Sequence, residues 1–271
     1  MSRDWTKSFF RSEVFTPGDP DALAAAPAEA SAAWRLLGLK KGMKVLDVAC
    51  GTGRHSVEFA RKGAFVVGVD KTAEYLERAR RAARGMKNCA FAEGDMRRLP
   101  FAGEFDAAVN LWTSFGYFEK PSDDLAVLKG VARSLKSGGR FLIEIVDHAW
   151  IRSRTTNRHW SRRGDGSYLL QEAVLVEGAD PRAINEWTIL RRGRPPVRTK
   201  FVVRGYDRKR LFAVLRKAGL VPVKSWSSLV GSAPARRFNG RLVVLAKKNS
   251  ARPVHSVNSP RGNVSNVRAW H

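Results

Sequence analysis

Short apolar runs alternate with amphipathic stretches in the middle of the chain. Five runs each predict a buried strand: Lys44–Val48, Ala64–Val69, Cys89–Glu93, Phe105–Leu111 and Arg140–Val146. The stretches between them predict helices at Arg54–Lys62, Thr72–Arg84 and Pro121–Leu135. A turn at Gly138-Gly139 is expected to separate the last helix from the fifth strand. Strands that alternate with helices form a parallel sheet covered on both faces, so we expect an α/β fold.

The pattern changes after residue 147. Three strand-like segments follow one another without a helical pattern between them: Tyr168–Glu177, Ala183–Leu190 and Val197–Tyr206. They predict an antiparallel meander. A helix at Arg208–Ala218 then precedes two strands, Val221–Leu229 and Arg241–Lys247, which should pair antiparallel at the sheet edge.

These segments predict a seven-stranded, mostly parallel sheet with an antiparallel last strand, and an antiparallel β insertion after strand five. We divide the chain into a helical cap at 1–40, a central domain at 41–147 and 205–248, a β-meander insertion at 148–204, and a disordered basic tail at 249–271. Within the cap, the helix from Asp19 to Leu37 is expected to break near Pro27.

The net charge of the chain bears on its possible binding partners. The chain has 271 residues and a formal net charge of +24, and residues 150–210 hold fifteen basic and six acidic side chains. Such a surface attracts polyanions, although arginines on solvated faces are the favoured explanation. Two cysteines, Cys50 and Cys89, make neither a disulfide framework nor a metal set, so we expect a reducing cytoplasm and no metal. No membrane span or secretory signal is predicted.

Two glycines, Gly51 and Gly53, lie where the first strand meets the next helix. Backbone N–H groups in such a turn face a polar or anionic ligand group. A NAD site needs a third glycine at position 56, where this chain has Ser56, so NAD is disfavoured. The phosphate-binding loop of nucleotide triphosphatases is excluded because no Gly-Lys-Ser/Thr follows.

Three carboxylates accompany three successive strands: Asp47, Asp70 and Asp95. Asp70 can accept the two hydroxyls of a ribose, and Asp95 an adenine amine with Met96 packed on the ring. Asp47 can orient the glycine loop. Each alone could equally be a helix cap or a loop brace. All three at one sheet edge favour a nucleoside cofactor.

The chain resembles class I S-adenosylmethionine-dependent methyltransferases over about residues 1–248. The matching motifs are "VLDVACGTGRH", "VVGVD", "AEGDMRRLPF", "FDAAVNLWTSFGYF" and "LKSGGRFLIEI", with Ala49 at the first glycine of the family loop. The resemblance implies a Rossmann-like fold, S-adenosylmethionine as cofactor, and a cofactor site formed by Asp47, Ala49, Cys50, Gly51, Gly53, Asp70, Lys71, Asp95, Met96 and Leu111. The segment "TSFGYF" and the insertion resemble a subgroup that acts on small molecules and includes sugar N-methyltransferases.

Methyl transfer from a sulfonium needs mainly alignment, and a base only if the nucleophile arrives protonated. Tyr117 and His148 are the candidate catalytic residues, with Asp147 and Glu144 as further candidate bases. We expect transfer to a nitrogen or oxygen of a small molecule, with the insertion as a substrate lid or homodimer surface. An RNA-directed methyltransferase using the basic insertion is the alternative, and a non-enzymatic scaffold is disfavoured by the intact loop.

Overall fold

A computed structural model describes residues 20–154, 157–231 and 240–249. Its helices are α1 (Pro20–Leu37), α2 (Arg54–Arg61), α3 (Ala73–Ala82), α4 (Pro121–Ser134), α5 (His148–Arg152) and α6 (Arg208–Lys217), with a 3₁₀ turn at Met96–Arg98. Its strands are β1 (Lys44–Val48), β2 (Phe65–Asp70), β3 (Cys89–Glu93), β4 (Phe105–Asn110), β5 (Leu135–Val146), β6 (Arg158–Arg162), β7 (Tyr168–Val176), β8 (Arg182–Leu190), β9 (Val197–Arg204), β10 (Leu220–Trp226) and β11 (Arg241–Lys248). Residues 1–19 of the predicted cap and 250–271 of the predicted tail lie outside the described residues.

Seven strands form one sheet in the order β10-β11-β5-β4-β1-β2-β3. The five strands from β1 to β5 run parallel to their neighbours, and β11 lies antiparallel between β5 and β10. The predicted fold class, with its antiparallel last strand, is confirmed. Because β1 lies beside β4 and β2, the chain changes direction across the sheet at β1, and a crevice opens at the carboxyl ends of these strands.

Both faces of the sheet are buried, as the near-continuous apolar strands predict. Neighbouring residues of β1 belong to different cores: Val45 packs with Phe59 of α2 and the alanines of α1, whereas Leu46 packs with Leu128 of α4 and Leu211 of α6. The two layers hold the strand ends rigidly, which fixes the loops that follow them.

A second sheet, which we call the insertion sheet, comprises β6 to β9 in sequential antiparallel order. Three of its strands match the predicted meander, but β6 was not predicted. Its sequence, Arg158-His159-Trp160-Ser161-Arg162, has no apolar run. It is an edge strand, where hydrogen bonds to β7 alone order the backbone and polar side chains are common.

Two local predictions were wrong. Helix α1 passes through Pro27 without a break. The lost backbone hydrogen bond costs about 3 kcal/mol, and burial of Ala30, Ala32 and Ala33 against the sheet offsets it. The pair Gly138-Gly139 does not separate α4 from β5 but lies within the strand, where the register with β4 shifts. A Cβ at Gly139 would lie 3.1 Å from that of Leu135, so the irregularity needs a glycine.

No helix in the described ranges is long and apolar enough to cross a membrane. Within the same ranges, no cluster of three or more His, Cys, Asp or Glu side chains could hold a metal ion.

Candidate active site

The glycine turn after β1 has a left-handed backbone at three positions. Ala49, Gly51 and Gly53 have φ angles of 58°, 56° and 74°. A Cβ at Gly53 would lie 2.7 Å from the ring of Phe91 on β3, so this position also needs glycine for packing. A Cβ at Gly51 would meet nothing within 4 Å. Gly51 therefore presents bare backbone to open space, and Ala49 holds the conformation that a glycine adopts easily.

Asp70 at the end of β2 holds this turn in place. Its Oδ2 accepts a hydrogen bond from the Gly51 N–H at 2.9 Å, and its Oδ1 accepts one from the Thr72 N–H at 2.9 Å. A carboxylate oxygen can accept two hydrogen bonds, so each oxygen keeps capacity for a ligand hydroxyl. The side chain is half-buried, which suits both roles.

Ser56 occupies the position that a third glycine has in a NAD site, and its hydrogen-bond partner explains why a serine is there. Its hydroxyl donates to Oδ2 of Asp47 at 2.5 Å, and both residues are buried. Burial raises the pKa of Asp47, and the nearby His55 together with this hydrogen bond only partly oppose the shift. Asp47 thus binds the first turn of α2, directly after the glycine turn.

Asp95 caps the 3₁₀ turn that follows β3. It accepts a hydrogen bond from the Arg97 N–H at 2.9 Å, and the Arg97 guanidinium binds both its oxygens. These hydrogen bonds are the main reason that the pKa of Asp95 is lowered. Arg97 also stacks on Phe118, with Cζ 4.7 Å from the ring centre. Asp95 therefore forms the helix cap that the sequence allowed as an alternative to ligand binding. Its neighbour Arg97 was not predicted from the sequence.

One cavity of about 770 Å³ borders almost all the predicted site residues. The predicted residues on its wall are Asp47, Ala49, Cys50, Gly51, Asp70, Lys71, Asp95, Met96, Leu111, Tyr117 and His148. Gly53 is not on the wall, because it faces the ring of Phe91. The same cavity extends to the insertion sheet, where Gln171, Asn185 and Trp187 line it.

Glu29 of α1 was not predicted and organises one side of the cavity. Its carboxylate accepts hydrogen bonds from Arg54 at 2.6 Å and from the indole N–H of Trp112 at 2.8 Å, and pairs with His55 Nε2 at 2.8 Å. Burial alone would raise the pKa of Glu29, but His55, Arg54 and Trp112 outweigh it and lower the pKa to about 2. An acid in an otherwise Ala-rich helix was the available signal in the sequence.

Trp112 completes this side of the cavity. Two guanidiniums lie over its ring, with Cζ of Arg54 4.2 Å and Cζ of Arg241 5.4 Å from the ring centre. Its φ of 58°, like the 57° of Thr113, is unusual for residues other than glycine. Glu144, a predicted candidate base, accepts a hydrogen bond from the Trp112 N–H at 3.2 Å and is not on the cavity wall.

The other candidate bases differ in their surroundings. Desolvation raises the pKa of Tyr117 on the cavity wall to about 12. His148 pairs with Glu177 through Nε2 at 3.1 Å, and its Nδ1 is buried against Gly205 without a hydrogen-bond partner among the described residues. Asp147 caps α5 by accepting a hydrogen bond from the Ala149 N–H at 2.9 Å.

Known proteins share the central part of this chain. YqeM of Bacillus subtilis (strain 168), provisionally named a methyltransferase, is 32% identical over 126 residues, which are 46% of this chain and 51% of that protein. The dTDP-3-amino-3,4,6-trideoxy-alpha-D-glucopyranose N,N-dimethyltransferase of Streptomyces venezuelae is 30% identical over 100 residues, 37% of this chain and 41% of that protein. The chain thus spans about half the length of the curated relatives it matches.

The fold is shared more widely than the sequence. The crystal structure of an S-adenosylmethionine-dependent methyltransferase from Clostridium acetobutylicum ATCC 824 has a TM-score of 0.67 and 19% identity, and the match covers 84% of this chain and 92% of that one. A family model described as "Methyltransferase domain" matches residues 39–174, which contain the glycine turn and the three carboxylates. The chain therefore belongs to the methyltransferase-domain family.

Proposed function

We propose that this protein transfers a methyl group from S-adenosylmethionine to a nitrogen or oxygen atom of a small molecule. The observation that carries the proposal is the continuous cavity that joins the glycine turn to the inner face of the insertion sheet. A methyl donor and its acceptor must lie in one enclosed space with their reacting atoms in line.

The glycine-turn end of the cavity suits the cofactor. Gly51 offers backbone with open space beside it, which fits the amino-acid end of the cofactor. We assign the ribose hydroxyls to Asp70, whose oxygens keep acceptor capacity, and the adenine to Met96 and Asp95. Lys71, Cys50 and Leu111 complete the lining of this end.

The insertion sheet supplies the wall for the acceptor. Because side chains alternate across a strand, one face of β7 and β8 borders the cavity, with Leu169 and Gln171 of β7 and Asn185 and Trp187 of β8 on it. Apolar surface with a few amide groups is typical of a small-molecule site. We therefore infer that the insertion acts as a substrate lid.

When bound, S-adenosylmethionine supplies a sulfonium methyl that an acceptor lone pair displaces in line, while the bonding pair returns to sulfur. Tyr117 keeps its proton at neutral pH because its pKa is raised to about 12, so it can orient the acceptor by a hydrogen bond but is a poor base. A neutral amine needs no base before it attacks, which favours nitrogen over oxygen. We assign His148, bonded to Glu177, to holding the insertion against the central sheet.

The competing proposal is methylation of RNA, which the excess of basic residues between 150 and 210 supports. Incubation of the protein with methyl-labelled S-adenosylmethionine and fractionated cell extract separates the two. We expect label in the low-molecular-weight fraction. Label confined to RNA would overturn the small-molecule proposal, and no label in any fraction would favour a non-enzymatic role.

Cofactor binding can be tested without knowing the acceptor. Calorimetry should show S-adenosylhomocysteine binding to the wild-type protein, and Asp70→Asn should weaken it by about 1.5–3 kcal/mol through loss of charged hydrogen bonds. Glu77→Gln, at an exposed position of α3, is the matched control and should bind as the wild type does. Equal affinities in all three proteins would refute the assignment of the ribose, and preferential binding of NAD would refute that of the cofactor.

A further inference from the structure

Charged residues line both ends of the cavity. The glycine-turn end has the carboxylates Asp47, Asp70 and Asp95 together with the cations Arg54, Lys71 and Arg97, so the two signs balance there. The insertion end has four arginines, which we call the rim arginines: Arg154, Arg158, Arg162 and Arg163. The one acid on the wall near them is Glu172, which pairs with Arg158 at 2.8 Å. The insertion end therefore has an excess of positive charge.

The rim arginines are held by the fold at a free edge. Arg158 and Arg162 begin and end β6, where they lie opposite Glu172 and Tyr168, on the face that does not carry Gln171. Because β6 pairs only with β7, their side chains border the mouth of the cavity around its free edge. Arg163 follows at the hairpin turn, where its N–H donates to the Ser167 carbonyl at 2.8 Å. Asp165 in the same turn accepts hydrogen bonds from Ser167 and is not on the cavity wall.

We propose that the methyl acceptor is an anion, and that the rim arginines bind its phosphate or carboxylate group while the nucleophilic atom lies toward the glycine turn. Planar guanidiniums with several donors suit these groups better than any other side chain. This inference rests on the proposed methyl transfer and adds the charge class of the acceptor. It also gives part of the charge excess between 150 and 210 a role at a small-molecule site.

The test uses small anions as probes at about 0.15 M ionic strength, where weak surface attraction is screened. With S-adenosylhomocysteine present in excess, calorimetric titrations with inorganic pyrophosphate and with malonate separate phosphate from carboxylate recognition. We expect one of them to bind at a single site in the wild-type protein. The double variant Arg162→Gln/Arg163→Gln should bind it at least about tenfold more weakly, the loss expected for charged hydrogen bonds.

The control variant removes the same charge elsewhere on the insertion sheet. Arg194 and Arg198 are exposed near the β8–β9 turn and do not line the cavity. Arg194→Gln/Arg198→Gln should change anion affinity less than about twofold, and both double variants should bind S-adenosylhomocysteine as the wild type does. These two readouts separate a local anion site from the general effect of net charge.

Three outcomes would overturn the proposal. Equal weakening in both double variants would show attraction by net charge alone. Binding of neither anion, with S-adenosylhomocysteine bound normally, would refute the anionic acceptor and leave the proposed methyl transfer standing. Tight binding of a short single-stranded RNA that the Arg162→Gln/Arg163→Gln variant alone loses would assign the rim arginines to RNA. Failure of the wild-type protein to bind S-adenosylhomocysteine would instead refute the methyl-transfer proposal.

Discussion

Replacing Glu29 by glutamine tests the network that ties α1 to the cavity. The substitution keeps the shape of the side chain and removes its charge. Arg54 then loses the carboxylate that compensates its burial, and Trp112 loses a charged acceptor for its indole N–H. We expect a large loss of stability, because leaving one member of a buried ion pair without its partner is costly.

The magnitude follows from the pKa of Glu29, which falls from 4.5 to about 2 on folding. At about 1.4 kcal/mol per pKa unit this is about 3 kcal/mol of stability at neutral pH. The side chain is only 11% exposed, so screening by water is small. Because the pKa in the folded state is depressed, the contribution is complete above pH 4.5 and is lost as the pH falls through about 2. By pH 3 about half of it should remain.

Urea unfolding followed by tryptophan fluorescence measures the difference between Glu29→Gln and the wild type. We expect the variant to be about 3 kcal/mol less stable at pH 7 and the gap to narrow between pH 5 and pH 3. Glu77→Gln controls for loss of one negative charge from an exposed helix position and should stay within about 0.5 kcal/mol of the wild type. A difference in unfolding free energy below about 0.5 kcal/mol at pH 7, or one that does not decrease in acid, would refute the stabilising role of the Glu29 carboxylate.

Four further substitutions test packing, anchoring and chemistry. Gly53→Ala should lower the free energy of unfolding by about 2 kcal/mol or more, because the added methyl would lie 2.7 Å from an aromatic ring of β3. Gly51→Ala should lower it by only about 1 kcal/mol, through backbone strain. Equal urea midpoints for the two variants would contradict this. Arg204→Met should lower the free energy of unfolding by about 3–5 kcal/mol, because the buried Asp124 loses its guanidinium partner. A urea midpoint equal to that of the wild type would show that Arg204 is not an anchor. Tyr117→Phe should lose no more than about tenfold in kcat, and a loss of about 10³-fold or more would identify Tyr117 as a base.

Elements of the central sheet were predictable because its inner parallel strands are buried on both faces. Runs such as Lys44–Val48 and Phe105–Asn110 stand out against the charged helices between them. Strand β6 was missed because an edge strand is defined by hydrogen bonds to one neighbour, which leave no apolar pattern. Continuity of α1 through Pro27 was missed because local propensity does not include burial against a sheet.

The site was predictable where backbone conformation dictates residue type. Gly51, Gly53 and Asp70 could be assigned to one edge of the sheet from their positions after two strands. The structure also joins Gly51 to Asp70 by a hydrogen bond, which was not predicted. Glu29 and Arg97 could not be found in this way. Glu29 binds residues of other elements, and the contact between Arg97 and Asp95 depends on the side-chain rotamers. Neither kind of contact leaves a periodic pattern in the sequence.

The two ends of the cavity are constrained to different degrees, and this bears on what determines the acceptor. The cofactor end is built from strand ends that the central sheet holds in register, so its geometry follows from the fold. The acceptor end depends on side chains of the insertion sheet, which is tied to the central domain at a few points. At one of them, Arg204 on β9 and Tyr206 both bind the buried Asp124 of α4, and Arg204 also binds Asp180 at 2.6 Å. Since these anchors do not involve residues such as Gln171, those residues can change without loss of the fold, and acceptor choice is free to vary while the donor site stays fixed.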